Sequence, residues 1–228
     1  MRFFVLSLFP EMFDEVLSHS ILKRAIQNGH LEVFRYNIRD FAKDRHKMTD
    51  DVPYGGGGGM VMKPEPIFAA VEHVRDHHQL DAYKVIYLTP QGTTFTQKMA
   101  KSLAEEENLI LLCGHYEGVD ERIRIALVDQ EISIGDYVLT GGELAAMVVI
   151  DVVARMIPAV IGSPQSIVKD SFYHSLLDYP HYTRPRVFQG MAVPDILLSG
   201  HHKQIEKWRN QQALARTKQR RPDLLIDD

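Results

Sequence analysis

The sequence contains little cysteine and little tryptophan, with one residue of each among 228. The single thiol, Cys113, excludes an internal disulfide framework and fits a reducing compartment. Acidic residues outnumber basic ones by 30 to 26, so the formal charge of −4 does not by itself predict a nucleic-acid partner. With 45% hydrophobic and 25% charged residues, the composition is that of a globular chain with a sizeable core.

Long apolar runs and targeting signals are also missing. The most apolar stretch, residues 144–162, is interrupted by Asp151 and Arg155, which argues against a membrane span. The apolar start of the chain is followed at once by proline and acidic residues rather than by a small-residue cleavage site. We therefore expect a cytoplasmic protein without membrane association.

Several familiar motifs are absent as well. The glycine run Gly55–Gly59 lacks the lysine and hydroxyl residue of a P-loop, and Met60 and Val61 stand where a dinucleotide fingerprint needs glycine. No Gly-x-Ser-x-Gly elbow occurs. The 11 histidines form no His-Glu-x-x-His motif and the chain has no paired cysteines, so no dedicated metal site is predicted.

Apolar strand-like runs alternate with helical patterns along most of the chain. Strands are predicted at residues 2–8, 31–38, 84–90, 108–114 and 131–139. Helices are predicted at residues 11–28, 64–78, 96–107, 120–128 and 141–157. Because continuous apolar strands alternate with helices, the predicted fold class is α/β with a mostly parallel sheet covered on both faces. We predict this domain at 1–160, a linker at 161–175 and a small helical domain at 176–228.

The C-terminal part has a basic segment that the total charge conceals. Residues 201–221 contain seven lysines and arginines and one acidic residue, Glu206. Such a segment suits a phosphate backbone, and a solvated helix face explains it equally well.

Glycine-containing loops follow three of the predicted strands, with the sequences YLTPQG, CGHYEG and IGDYVLTGG. In a parallel sheet, ligands bind beyond the carboxyl ends of the strands. Glycines let the backbone contact a ligand there, and Tyr87, Tyr116 and Tyr137 supply aromatic walls, which suits an adenosine-like ligand. Ordinary turn chemistry explains any single loop, but three together favour a ligand site.

Two charged residues follow the last of these loops. Arg155 ends an apolar helix, where a cation that complements the helix dipole is the simpler interpretation. Asp170 lies in the predicted linker, where an aspartate is ordinarily a solvated turn residue. Flanking a pocket, the two side chains would form an acid–base pair.

The chain resembles the bacterial tRNA (guanine-N(1)-)-methyltransferases in the segments DDVPYGGGGGMVM, CGHYEGVDER, SIGDYVLTGGELAAM, VVARMIPAVIG and LLDYPHYTRP. That family belongs to the SPOUT class of knotted methyltransferases, and the likeness covers nearly the whole chain. It implies a deep trefoil knot, S-adenosylmethionine as cofactor, and methylation of ring nitrogen 1 of guanosine 37 in tRNA, which maintains the reading frame. It also implies a homodimer with active sites at the subunit interface, and magnesium assistance.

The resemblance assigns site residues through the matching motifs. Asp170 matches the general base and Arg155 the arginine that binds the guanine, and both are predicted to be catalytic. Substrate binding is expected of Tyr116, Arg155 and Ser166. Cofactor binding is expected of Tyr87, Leu88, Pro90, Gly114, Tyr116, Glu117, Gly118, Ile134, Gly135, Asp136, Tyr137, Val138, Leu139, Gly141 and Gly142.

Three positions depart from the family pattern, namely Gly58 and Ala145, where relatives usually have proline, and His115, where some have arginine. Neither of the two replacements of proline removes a proposed catalytic group, whereas His115 bears on a phosphate contact of that arginine. Two other functions fit the same residues: a SPOUT enzyme acting on ribosomal RNA or ribose 2′-hydroxyls, and a non-enzymatic RNA-binding module that holds S-adenosylmethionine.

The glycine run fits a flexible linker by composition alone. Its place inside the α/β domain favours a backbone surface, free of side chains, against which a flat ligand lies. Gly59 is the residue predicted to contact the target guanine. Gly59→Val is therefore expected to block RNA methylation and to spare cofactor binding.

Overall fold

The computed structural model describes residues 1–162 and 170–226. The chain divides into two compact units, Met1–Gly162 and Ser163–Asp228. Ser166, predicted to bind the substrate, lies outside the described residues. None of the helices in the described ranges combines the length and the apolar character that crossing a membrane requires.

The N-terminal unit is built on a five-stranded parallel sheet. The strands of this unit, five of which form the sheet, are β1 (Arg2–Ser7), β2 (Glu32–Asn37), β3 (Asp50–Asp51), β4 (Val61–Met62), β5 (Lys84–Thr94), β6 (Asn108–Cys113) and β7 (Gln130–Ser133). The sheet has the order β2-β1-β6-β5-β7, and each neighbouring pair is parallel. The pair β3–β4 is a separate antiparallel ladder. The predicted α/β fold class is thereby confirmed.

Helices cover both faces of this sheet. They are α1 (Asp14–Leu17), α2 (Ser20–Gln27), α3 (Pro64–His77), α4 (Gln97–Leu103), α5 (Glu121–Leu127) and α6 (Glu143–Ala154). Alternate residues of β1 enter different cores: Phe3 belongs to the core that contains Val149 of α6, and Phe4 to the core that contains Ile67 of α3. This period of two, with both faces apolar, explains why the strands are continuous apolar runs.

Strand β5 continues past the residue where the sequence indicated its end. Both Leu88 and Thr93 pair with Ile132 of β7, so the four residues between them leave the ladder as a bulge. Pro90 lies in this bulge, where its missing N–H breaks no ladder bond. The prediction that Pro90 ends the strand was wrong, because the ladder resumes at Thr93.

Two other predicted elements differ from the structure. The helix predicted at 11–28 is interrupted: a 3₁₀ turn at Pro10–Phe13 leads into α1, and α2 begins at Ser20, whose φ is +51°. The strand predicted at 131–139 ends at Ser133, because Gly135 has a φ of +151° and turns the chain out of the sheet.

The C-terminal unit contains a hairpin and two helices in its described part. Strands β8 (Val187–Phe188) and β9 (Met191–Ala192) are antiparallel, and α7 (Asp195–Leu198) and α8 (His202–Arg220) follow. Helix α8 buries one stripe, which includes Ala213 and Thr217. The Thr217 hydroxyl accepts a hydrogen bond from the Leu177 N–H at 2.9 Å, which attaches the helix to the segment before the hairpin.

Candidate functional site

A cavity of about 290 Å³ opens at the carboxyl ends of β5, β6 and β7; it is called the strand-end cavity below. Fourteen of the fifteen residues predicted to bind the cofactor line it, and Asp136 does not. Its lining also includes residues that the sequence analysis did not predict, namely Thr89, Gln91, His115, Val119, Arg124, Ile132, Ser133, Thr140 and Ala145.

Tyr87 forms the inner wall of the strand-end cavity. It is 5% exposed, and burial raises the pKa of its phenol. Its ring lies against Gly114, where a Cβ would stand 2.9 Å from the ring atom Cε2. Any side chain at position 114 would therefore displace the ring, which explains glycine at the end of β6.

The outer wall is a tight turn that follows β7. The Ser133 hydroxyl donates to the carbonyl of Gly135 at 3.0 Å and accepts from its N–H at 3.2 Å. The Tyr137 hydroxyl donates to the carbonyl of Ile134 at 3.2 Å. A Cβ at Gly135 would lie 2.4 Å from the Tyr137 ring, so glycine is required both for this close approach and for its φ of +151°.

The last residues of the glycine run lie beside the loop that follows β6. The Glu117 N–H donates to the carbonyl of Met60 at 3.0 Å, and the Met62 N–H donates to the carbonyl of Gly118 at 2.9 Å. Gly59 has a φ of +82°, and a Cβ there would lie 2.4 Å from Glu117 Oε1. The backbone of Gly59 thus lies directly against a side chain that lines the strand-end cavity.

Arg124 on α5 is a cavity residue that the sequence did not indicate. Its guanidinium donates to both carboxylate oxygens of Glu131 at 2.8 to 3.0 Å, and to the Gln91 side chain in the β5 bulge at 3.2 Å. The bond to Glu131 is the main cause that raises the pKa of Arg124. The pairing depends on how α5 and β7 lie side by side in the fold, which the sequence pattern of the helix alone does not show.

The remaining predicted residues lie in different parts of the chain. Arg155 is the C-cap residue of α6 and is half-buried. Asp170 is half-buried and is the first described residue of the C-terminal unit. The roles assigned to these two residues stay predictions.

The donors around the strand-end cavity suit a nucleoside better than a metal or a polyphosphate. Leu88, Ile134 and Leu139 give apolar surface, and the glycine-containing turns present backbone groups. Glu117 supplies a carboxylate, while the charge of Arg124 is already paired with Glu131. No group of three histidine, cysteine or carboxylate side chains that could hold a metal occurs within residues 1–162 and 170–226.

Comparison with known proteins gives consistent similarities along the chain. The family model described as tRNA (Guanine-1)-methyltransferase TrmD matches residues 1–227. The tRNA (guanine-N(1)-)-methyltransferase of Desulforamulus reducens is 58% identical over 227 residues, which is 100% of this chain and 89% of that protein. The protein of the same description from Moorella thermoacetica is 59% identical over 225 residues, covering 99% and 90%. The one from Clostridioides difficile is 53% identical over 224 residues, covering 98% and 97%.

Proposed function

The chain belongs to the tRNA (guanine-1)-methyltransferase family, and we propose that it methylates ring nitrogen 1 of a guanosine in tRNA with S-adenosylmethionine as donor. The observation that carries this proposal is the match of the family model to residues 1–227. The target is guanosine 37, beside the anticodon, and the product maintains the reading frame. Because tRNA is a cytoplasmic substrate, we place the enzyme there.

The strand-end cavity fits the methyl donor. Its apolar walls suit the adenine ring, its glycine turns bring backbone donors and acceptors within reach, and Glu117 offers negative charge to a cationic ligand. When bound, the cofactor supplies a methyl group activated by its sulfonium. The trefoil knot around the site and assistance by magnesium remain expectations from the family.

Asp170 and Arg155 are the proposed catalytic residues. Ring nitrogen 1 of guanine carries a proton at neutral pH, and Asp170 takes that proton as general base. Loss of the proton moves negative charge onto the exocyclic oxygen, and the guanidinium of Arg155 stabilises this charge. Ser166, Tyr116 and Gly59 are proposed to hold the guanine and its neighbours.

The test of this assignment separates binding from methyl transfer. Asp170→Asn should bind cofactor and tRNA normally and lose about 10²–10⁴-fold in methyl-transfer rate. Asp195→Asn is the matched control, because its side chain is in the same unit and is 92% exposed. Arg155→Ala should lower the rate more than it lowers cofactor affinity. Near-normal turnover by Asp170→Asn would contradict the general-base role.

The reaction itself is tested with labelled cofactor and total RNA, followed by mapping of the modified base. Label at ring nitrogen 1 of guanosine 37 is the expected result. Label confined to ribosomal RNA or to ribose hydroxyls would indicate another SPOUT activity. Cofactor binding without any labelled RNA would indicate a binding module.

We also propose a homodimer through an apolar patch formed by Phe9, Met12, Leu144 and Val148, which are between 37% and 48% exposed. Phe9, Met12 and Leu144 line one shallow cavity, and Val148 lies one helical turn after Leu144 on α6. Exposed apolar side chains grouped in this way are typical of an interface. Leu144→Asp should give a monomer by light scattering, whereas Ile125→Asp, at an exposed residue of α5 that is not part of this patch, should leave the dimer intact.

Binding of tRNA is proposed to involve the exposed cations of α8. Of the seven basic residues in the segment 201–221, three have contacts within the C-terminal unit. Arg221 forms an ion pair with Asp223 at 2.6 Å. The guanidinium of Arg209 lies 4.9 Å from the Tyr179 ring centre, and Arg216 donates to the carbonyl of Asp178 at 3.0 Å. The other four are exposed and remain as candidates for phosphate contacts: Lys203, Lys207, Lys218 and Arg220.

A further inference from the structure

A buried carboxylate lies next to the strand-end cavity without lining it. Glu143, the first residue of α6, is 2% exposed. Its Oε1 accepts a hydrogen bond from the Ser7 hydroxyl at 2.5 Å, and His115 Nε2 lies 2.9 and 2.8 Å from its two oxygens. The Ser7 hydroxyl in turn accepts from the Phe9 N–H at 2.8 Å. One carboxylate thereby joins the end of β1 to the loop that follows β6.

The contacts of this carboxylate are well suited to an ionised group. A carboxylate is an acceptor only, so the bond to Glu143 requires the proton of the His115 ring on Nε2. The N-terminus of α6 favours negative charge at Glu143. Removing such an acceptor leaves buried donors without a partner, which costs more than the bond itself contributes.

His115 connects this network to the strand-end cavity. It lines the cavity, and its backbone pairs with Gly141 in an isolated antiparallel bridge. The Gly142 N–H donates to the carbonyl of Gly114 at 2.9 Å. A Cβ at Gly141 would lie 2.3 Å from the His115 ring and 2.5 Å from Glu143 Oε2. The two loops therefore touch at Gly141, where the imidazole and the carboxylate occupy the space that a side chain would need.

We infer that Glu143 is a positioning residue for cofactor binding, which holds His115 and, through it, the two loops 114–118 and 140–142 of the strand-end cavity. The inference rests on the proposed function for the identity of the ligand. Glu143 does not touch that ligand: it fixes the orientation of the His115 ring, and the ring and the adjoining glycine backbone form the wall. The network assembles residues that are 136 and 28 positions apart in sequence.

The test measures direct binding of S-adenosylmethionine by calorimetry to Glu143→Gln. Glutamine keeps the shape, but its amide nitrogen is a donor and opposes either the Ser7 hydroxyl or His115 Nε2. The dissociation constant should rise roughly tenfold, with a smaller change in the turnover number at saturating cofactor. In the unchanged protein, long-range ¹H–¹⁵N spectra should show the His115 proton on Nε2, and in Glu143→Gln this signature should be lost or shifted.

A control for a purely structural effect is Val149→Ala, a buried residue of α6 in the core of the same unit. It should lower the melting temperature and leave the dissociation constant unchanged. In a double-mutant cycle, His115→Gln and Glu143→Gln should each weaken binding, and together no more than either alone.

Three results would overturn the inference: an unchanged dissociation constant in folded Glu143→Gln, additive effects in the cycle, or equal weakening by Val149→Ala. Failure of the unchanged protein to bind the cofactor at all would instead contradict the proposed function.

Discussion

Gly59 offers a sharp test of how the glycine run shapes the site, because its neighbours in the run provide matched controls. Gly56 has a φ of +79° and Gly59 one of +82°, so alanine meets the same backbone strain at both positions. Only at Gly59 does the new Cβ also meet another group: it would lie 2.4, 2.6 and 2.8 Å from Oε1, Cγ and Cδ of Glu117. Gly58 has neither a positive φ nor any atom within 4 Å of an added Cβ.

These three environments predict three different results for alanine. Strain alone should lower the free energy of unfolding of Gly56→Ala by about 1–2 kcal/mol. Gly58→Ala should gain about 0.4–1 kcal/mol, because alanine restricts the unfolded chain. Gly59→Ala should lose at least as much as Gly56→Ala, and it should also push the flexible Glu117 side chain out of its place in the strand-end cavity.

The displacement of Glu117 changes the outcome that the sequence analysis expected for this residue. Because Glu117 lines the strand-end cavity, a side chain at position 59 should weaken cofactor binding, roughly tenfold, as well as methylation. Urea unfolding measures how far the backbone strain lowers the free energy of unfolding. Calorimetry with S-adenosylmethionine measures how far the displacement of Glu117 raises the dissociation constant. If Gly59→Ala bound the cofactor as tightly as Gly56→Ala, the contact with Glu117 would have no role in the site.

Three further predictions concern other parts of the molecule. Gly92→Ala should lower the free energy of unfolding by about 1–3 kcal/mol in urea, because its Cβ would lie 2.5 Å from the rigid backbone of β7; an unchanged midpoint would contradict this packing. Burial, and then nearby cations, lower the pKa of His78 below 6.5, so its contribution to stability is present above pH 6.5 and lost as pH falls through the folded-state pKa. His78→Gln should therefore reduce the loss of unfolding free energy below pH 6.5, as measured by denaturation at a series of pH values. The affinity for tRNA should fall steeply with salt. Lys207→Gln should reduce the slope of log affinity against log salt concentration by about one, and Leu214→Gln should leave that slope unchanged.

The sheet could be predicted from the sequence because its central strands are buried on both faces. The predicted bounds of β1 and β6 agree with the structure to within a residue at each end. The bulge in β5 could not be predicted, since it depends on which residue of β7 pairs with Leu88 and Thr93. The break between α1 and α2 has no proline or glycine to announce it, and Ser20 adopts its positive φ in the folded context.

For the candidate site, too, some features could be predicted from the sequence and others could not. Its glycine-containing loops were visible because close backbone approach requires particular residues at particular places, as at Gly114 and Gly135. The side chains that support the loops were not visible. Ser7, Glu143 and Arg124 carry no local signal, because each acts through a partner that only the folded sheet brings within hydrogen-bonding distance.

The bulge of β5 also has a consequence for how the site can vary. A slip of one residue in a strand ordinarily turns every later side chain to the opposite face. Here the chain leaves the ladder after Leu88 and rejoins it at Thr93 against the same residue, Ile132. Insertions or deletions within residues 89–91 would therefore alter the rim of the strand-end cavity while Gly92 keeps its packing against β7 and Thr93 and Thr94 keep their partners. The length of this loop is thus separated from the register of the sheet, so ligand preference can be varied at residues 89–91 with the strand pairing preserved.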